Sequence, residues 1–134
     1  APAMEIIDSR YRDFRFSLAD VVADNTSAAG FVIGGWRSPS VDVSNLGMVL
    51  EINGRPRQIG SSAAILGHPV RALVSAARLS AAAGEPLQDG WIVLAGGATA
   101  AEILAAGDHV RTEAESLGPV SFSVDGSADA GATG

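Results

Sequence analysis

The dipeptide Asn53-Gly54 stands between two runs of alternating side chains, and this arrangement commits the middle of the chain to an antiparallel hairpin. Both turn residues tolerate positive φ, which is what a tight two-residue connection between twisted strands requires. Residues 46–52 place Met48, Leu50 and Ile52 on one face and Val49 and Glu51 on the other. The return strand is expected over 55–60, where Pro56 predicts an edge position or a bulge because it has no amide for a ladder. A second pair is expected over 108–115 and 120–124. There Val110, Thr112 and Ala114 alternate with Arg111, Glu113 and Glu115, and Val120, Phe122 and Val124 alternate with serines.

The remaining elements fit around these hairpins. Residues 3–8 and 28–36 read as buried strands, and 91–95 as another, with Trp36 and Trp91 expected as core aromatics. Ser17 and Asp20 make a capping-box pattern that starts a short helix over 18–24, and Asn25 fits a left-handed terminator. The clearest helix spans 69–83, with Pro69 in its first turn and Gly84 at its end. Val70, Leu73, Val74, Ala77 and Ala81 lie on one of its faces, opposite Arg71, Ser75, Arg78 and Ala82. The arginine stripe reads as a solvated face or a subunit contact. After Asp125 the composition falls to small residues, so 126–134 is expected to be a disordered tail. Short antiparallel strands with one main helix and no internal repeat predict an α+β fold rather than a doubly wound parallel sheet.

Composition bounds the chemistry. The 134 residues suit one domain that buries roughly two-thirds of its unfolded surface. A net charge of −6 argues against nucleic acid, which needs a basic face. No apolar run approaches the roughly 20 residues that span a bilayer, and no basic-then-apolar signal segment opens the chain, so the expected compartment is the cytoplasm. There is no cysteine, which excludes thiol nucleophiles and thiolate metal sites. All nine basic residues are arginine, which excludes Schiff-base lysine chemistry and a Walker loop. With only His68 and His109, a multi-histidine metal site is out of reach. His68, before Pro69, reads as a cap or packing residue, and His109 as structural. Any chemistry must run through carboxylates, hydroxyls, amides and a hard metal.

Several segments in order then resemble one family. Ala3-Met4-Glu5-Ile6-Ile7-Asp8-Ser9-Arg10-Tyr11 is followed by Asp20-Val21-Val22-Ala23-Asp24-Asn25-Thr26-Ser27. Then come Gly60-Ser61-Ser62-Ala63-Ala64-Ile65-Leu66-Gly67-His68-Pro69 and Leu94-Ala95-Gly96-Gly97-Ala98-Thr99. Gly107-Asp108-His109-Val110 and Leu117-Gly118-Pro119-Val120 close the set. Over about residues 1–125 the chain is similar to the 2-keto-4-pentenoate hydratase and 4-oxalocrotonate decarboxylase family, within the wider fumarylacetoacetate hydrolase-like fold. The Asp-Ser-Arg-Tyr, Asp-Asn-Thr-Ser and Gly-Gly-Ala-Thr stretches look more like the decarboxylase branch.

The resemblance implies a mixed β-sandwich or roll and a metal-dependent lyase acting on unsaturated 2-keto acids. The implied reaction is decarboxylation of 4-oxalocrotonate (2-oxo-3-hexenedioate) to 2-hydroxypenta-2,4-dienoate in catechol meta-cleavage, with the sister hydratase reaction as the alternative. A divalent cation, Mg²⁺ or Mn²⁺, would be held by oxygen ligands and would stabilise the enolate. Glu5 matches a metal carboxylate of the family. Ser27 is the implied catalytic hydroxyl; Asn25, Ser27, Gly97 and Thr99 are the implied substrate contacts, and Asp8 and Arg10 would orient the ligands from behind. For Asp8 and Arg10 a structural ion pair remains an equal alternative, and for Asn25 and Ser27 plain helix termination. A homo-oligomer and a complex with the sister hydratase are implied as partners besides the 2-keto acid.

One departure weighs against a complete site. Family members are about twice this length, and their other half supplies a Glu-x-Glu pair, a lysine and an aspartate. The only such pair here, Glu113 and Glu115, is expected to point outward, and lysine is absent. The chain therefore reads as the carboxyl-terminal half of a catalytic domain, inactive alone. A non-catalytic assembly module is the rival from another class.

Overall fold

The computed structural model describes residues 1–126. The hairpin at Asn53-Gly54 is present: β3 (Gly47–Ile52) runs antiparallel to β4 (Arg55–Ser61), and the turn residues take φ of 54° and 72°. β5 (His109–Ala114) pairs with the other side of β3, and β6 (Gly118–Ser123) with β5, giving an antiparallel sheet in the order β4-β3-β5-β6. Pro56 lies in the edge strand, where a missing amide breaks no ladder. The register slips between Leu50 and Glu51, so Arg57 has no opposite residue and the expected bulge falls beside Pro56.

A second antiparallel sheet is made by β1 (Ala3–Ile7) and β2 (Ala28–Ile33). It lies on one face of the larger sheet, where Met4, Ile52, Val110 and Val120 form a buried cluster flanked by Val32, Leu50, Leu104 and Phe122. A second cluster of Leu46, Ala114 and Leu117 fills in beside Val41, Val43 and Met48. The alternation read from the sequence is the cause. Val110 and Ala114 point into the core, while Arg111 points away and pairs with Glu51 (Nη1 to Oε2, 3.3 Å) and Glu113. Gly34, just past β2, packs closely against β6. A Cβ there would stand 2.8 Å from Pro2 Cγ and 2.9 Å from the Pro119 carbonyl, so only glycine fits without displacing β6.

Both helices form where their caps predict. In α1 (Leu18–Ala23) Ser17 Oγ accepts from the Asp20 amide at 3.3 Å, and Asp20 Oδ2 accepts from the Ser17 amide at 2.9 Å. In α2 (Pro69–Ala82) His68 is the cap, its Nδ1 accepting from the Val70 amide at 3.1 Å. At the far end Gly84 takes φ 85°, with its amide bonded to Ala81 and that of Glu85 to Ser80, a Schellman closure. His109 faces Ser123 across β5 and β6, Nδ1 to Oγ at 3.2 Å, a structural position.

Three expectations about burial and extent are corrected. Residues 91–95 form no strand, because an apolar run sets a demand for burial but not for a ladder partner. Trp36 and Trp91 are not core aromatics; they are 71% and 55% exposed and line, with Ala1, Ala3, Ile33, Ile92, Val93 and Leu94, a groove of about 140 Å³. β2 stops at Ile33, three residues short of Trp36. The apolar stripe of α2 is uncovered, with Val70, Leu73 and Val74 all exposed among the described residues. Of the tail expected over 126–134, all but Gly126 lies outside the described residues.

Candidate functional site

Glu5 sits in the middle of β1, opposite Phe31 of β2. Side chains alternate along a strand, so Met4 and Ile6 turn toward the larger sheet while Ala3, Glu5 and Ile7 turn away. Glu5 is therefore exposed on the outer face, not buried as the surrounding apolar residues predicted. Phe31 beside it is 52% exposed. A carboxylate among uncovered apolar groups on one side of a two-stranded sheet is the centre of the candidate site.

At the Ile7 end of this sheet, about 7 Å along the strand from Glu5, the chain folds into a compact network. Asp24 follows α1 and is buried, its side chain 3% exposed. Its Oδ2 accepts from the Arg10 amide (3.2 Å), the Ser27 hydroxyl (3.1 Å) and the Ser9 hydroxyl (3.4 Å), and its Oδ1 from Arg10 Nε. The rest of the guanidinium reaches backbone carbonyls: Asp24 through Nη2, and Asp8 (3.1 Å) and Ala28 (3.3 Å) through Nη1. The Asp8 amide donates to the Ser27 carbonyl at 2.8 Å. Burial works to raise the Asp24 pKa, and the donors from Arg10 and Ser27 outweigh it, holding the carboxyl below its ordinary value. The neighbouring Tyr11 phenol is pushed above 10.0, first by burial and then by the charges of Asp20 and Asp24.

This network encloses a strained turn. Asn25, Thr26 and Ser27 have φ of 51°, 56° and 60°, three successive left-handed residues without a glycine. Each such residue costs roughly 1 kcal/mol or more, so the conformation persists only because its surroundings enforce it. Asn25 and Thr26 are exposed, whereas Ser27 is 3% exposed and gives its one hydroxyl proton to Asp24. Arg10 thus pairs with Asp24 rather than with the Asp8 side chain, and Asp8 takes part through its backbone. The sequence reading missed Asp24. The available signal was its place three residues before Ser27 and just ahead of Asn25, but nothing local revealed that Arg10 reaches it.

Gly97 and Thr99 are set by a different contact. Gly60 of β4 faces the core side with Met48, and a Cβ on it would lie 2.3 Å from the Ala98 carbonyl oxygen and 2.8 Å from Thr99 Cγ2. The loop carrying Gly97 and Thr99 therefore rests on the face of the larger sheet that also carries β1 and β2, but over β4. Glu102, further along, accepts from Gln58 and pairs with Arg57 at 3.4 Å, fastening the same segment to β4. The Gly60–Pro69 motif is structural as well: Ser62, 1% exposed, donates to the Val43 carbonyl (2.8 Å) and accepts from the Leu46 amide (2.7 Å).

A divalent cation prefers carboxylate oxygens, and Glu5 is such a donor. Among the described residues, however, no group of three His, Cys, Asp or Glu side chains could hold a metal ion, so these residues alone do not complete a centre. Among the same residues, no helix is long and apolar enough to cross a membrane.

Antiparallel sheets packed face to face, a single main helix, and an exposed carboxylate on β1 next to a clamped left-handed turn define the class. Residues 5–125 match the fumarylacetoacetate (FAA) hydrolase C-terminal family, and the chain belongs to that family. It is 62% identical over 126 residues to a 4-oxalocrotonate decarboxylase of Pseudomonas sp., covering 94% of this chain and 49% of that relative. It is 36% identical over 124 residues to a 2-hydroxyhexa-2,4-dienoate hydratase of Comamonas testosteroni, covering 91% of this chain and 47% of the hydratase. Among solved structures, the 4-oxalocrotonate decarboxylase of Pseudomonas putida G7 complexed with magnesium and adipate superposes with a TM-score of 0.87 at 41% identity, over 92% of this chain and 48% of that one. The chain thus spans about half the length of the curated relatives it matches.

Proposed function

We propose that this chain is the carboxyl-terminal half, over residues 1–125, of a divalent-metal-dependent lyase that decarboxylates 4-oxalocrotonate to 2-hydroxypenta-2,4-dienoate. The observation that carries this reading is the 62% identity, along nearly the whole chain, to a decarboxylase rather than a hydratase. In the reaction the bond from C5 to the distal carboxylate breaks and carbon dioxide leaves. The electron pair moves along the conjugated chain to the 2-keto oxygen, which takes up a proton. A divalent cation, Mg²⁺ by analogy with the Pseudomonas putida G7 complex, supplies when bound the positive charge that favours electron density on that oxygen.

In this reading Glu5 gives one metal oxygen and the remaining ligands come from residues outside the chain. Asn25 offers an exposed amide to the substrate, and the loop of Gly97 and Thr99 offers backbone amides and a hydroxyl. Ser27 donates its hydroxyl proton to substrate only by turning it away from Asp24; held as it is, it shapes the turn. Asp8 and Arg10 act behind the site, and Arg10 does so through Asp24. The place of work is the cytoplasm, in a homo-oligomer that associates with the sister hydratase. The incomplete metal centre and the exposed apolar surface favour a second reading, a module that serves assembly without catalysis.

The test joins residues 1–134 to the half of the Pseudomonas sp. decarboxylase that they do not match and assays both substrates with Mg²⁺. Carbon dioxide release from 4-oxalocrotonate is expected. Hydration of 2-hydroxypenta-2,4-dienoate without carbon dioxide release would replace the decarboxylase by the hydratase, and inactivity on both would favour the assembly module.

A further inference from the structure

We infer that Asp24 is a positioning residue for the substrate-binding turn, holding Asn25–Ser27 in the left-handed conformation that presents Asn25. The inference rests on the reading of Asn25 as a substrate contact, and it assigns a role to a residue that neither the sequence pattern nor the comparisons single out. Asp24 touches the segments on both flanks of the turn. Its two oxygens take donors from Ser9 and Arg10, which continue from β1, and from Ser27, which leads into β2. Its backbone carbonyl takes the Ser27 amide at 3.0 Å and one arm of the Arg10 guanidinium. The same guanidinium bonds the Ala28 carbonyl, so the Asp24–Arg10 pair spans the turn from the residue before it to the residue after it. Three non-glycine residues at φ of 51–60° do not keep that shape by themselves. The carboxylate and guanidinium are the clamp, and the first residue they hold in place is the exposed Asn25.

Asparagine at this position keeps the volume but replaces one acceptor oxygen by an amide donor, which opposes the protons of Arg10, Ser9 and Ser27. In the polypeptide that joins residues 1–134 to the unmatched half of the Pseudomonas sp. decarboxylase, adipate affinity in saturating Mg²⁺ and Mg²⁺ affinity alone are measured by calorimetry, beside thermal unfolding. Asp24→Asn is expected to weaken adipate at least tenfold, to raise KM for 4-oxalocrotonate in parallel, and to leave Mg²⁺ affinity within twofold. A lower melting temperature with adipate affinity and KM within twofold of the parent would overturn the positioning role and leave only a structural one. If Asp24→Asn does not fold, Arg10→Lys serves instead. It keeps a charge beside Asp24 but loses the arms to the Asp24, Asp8 and Ala28 carbonyls, and a rise in adipate Kd of at least threefold is expected; an unchanged Kd overturns the proposal. Failure of the parent polypeptide to bind Mg²⁺ and adipate would instead count against the lyase reading itself.

Discussion

Gly60→Ala tests how the loop of Gly97 and Thr99 is seated. Gly60 lies in a strand with no positive φ, so alanine suits its backbone and the added methyl is the whole perturbation. The new Cβ would stand 2.3 Å from the Ala98 carbonyl oxygen, where ordinary contact begins at 3.4 Å, so the loop must recede by 3.4 − 2.3 = 1.1 Å. The obstacle is backbone and cannot rotate aside as a side-chain tip would. Overpacking of this kind costs about 1–3 kcal/mol, partly offset by about 0.5 kcal/mol from removing a glycine in a strand. With an unfolding entropy of roughly 2.1 cal/mol/K per residue, the 134 residues convert a net of about 0.5–2.5 kcal/mol into a fall in Tm of about 2–9 °C. Thermal unfolding followed by circular dichroism reads this, and amide shifts of Ala98 and Thr99 report the loop. Gly35→Ala is the control, because a Cβ there meets nothing within 4 Å. A Tm within 1 °C of the parent with unmoved Ala98 and Thr99 signals would refute the seating of the loop on β4, as would an equal loss in both variants.

Two further outcomes follow from named side chains. Among the described residues the Thr112 hydroxyl has no hydrogen-bond partner although it is buried between β3 and β6, so Thr112→Val should be neutral or stabilise by up to about 1 kcal/mol; a loss above about 0.5 kcal/mol in chemical unfolding would reveal a partner for that hydroxyl. The second is acid sensitivity. Asp20, Asp24 and Asp108 have folded-state pKa values lowered from 3.8: Asp20 by the Ser17 amide and hydroxyl, Asp24 by donors that overcome its burial, Asp108 by the Ala105 amide and the Asn53 side chain. Depressed carboxyl pKa values add stability that is full above the unfolded value and is lost as pH falls through the folded ones. Tm should be flat at mildly acidic pH and fall progressively below about pH 4; a Tm that rises or stays level between pH 4 and 2 would reverse the sign assigned to these groups.

What the sequence determined by itself is local. Asn53-Gly54 fixed the hairpin because both residues accept left-handed backbone, and Ser17, Pro69 and Gly84 fixed the helix ends because caps act within one turn. Alternation over β3, β5 and β6 chose the core face, since side chains repeat every second residue. Family membership was legible through motif order, which pointed to the decarboxylase and hydratase relatives.

The tertiary structure decided what lies far apart along the chain. Whether an apolar residue is covered depends on which element packs against it, and so Trp36, Trp91 and the stripe of α2 stayed exposed and Glu5 stood on an open face. The pairing of Arg10 with Asp24 joins residues fourteen apart across two loops, and no propensity or period encodes it. The seating of Ala98 on Gly60 is likewise a contact between distant segments, visible only once the sheet has placed β4 beneath the loop. Local rules made the elements, and packing made the clamp around Asn25–Ser27, because a buried carboxylate gathers whatever donors the fold brings within reach.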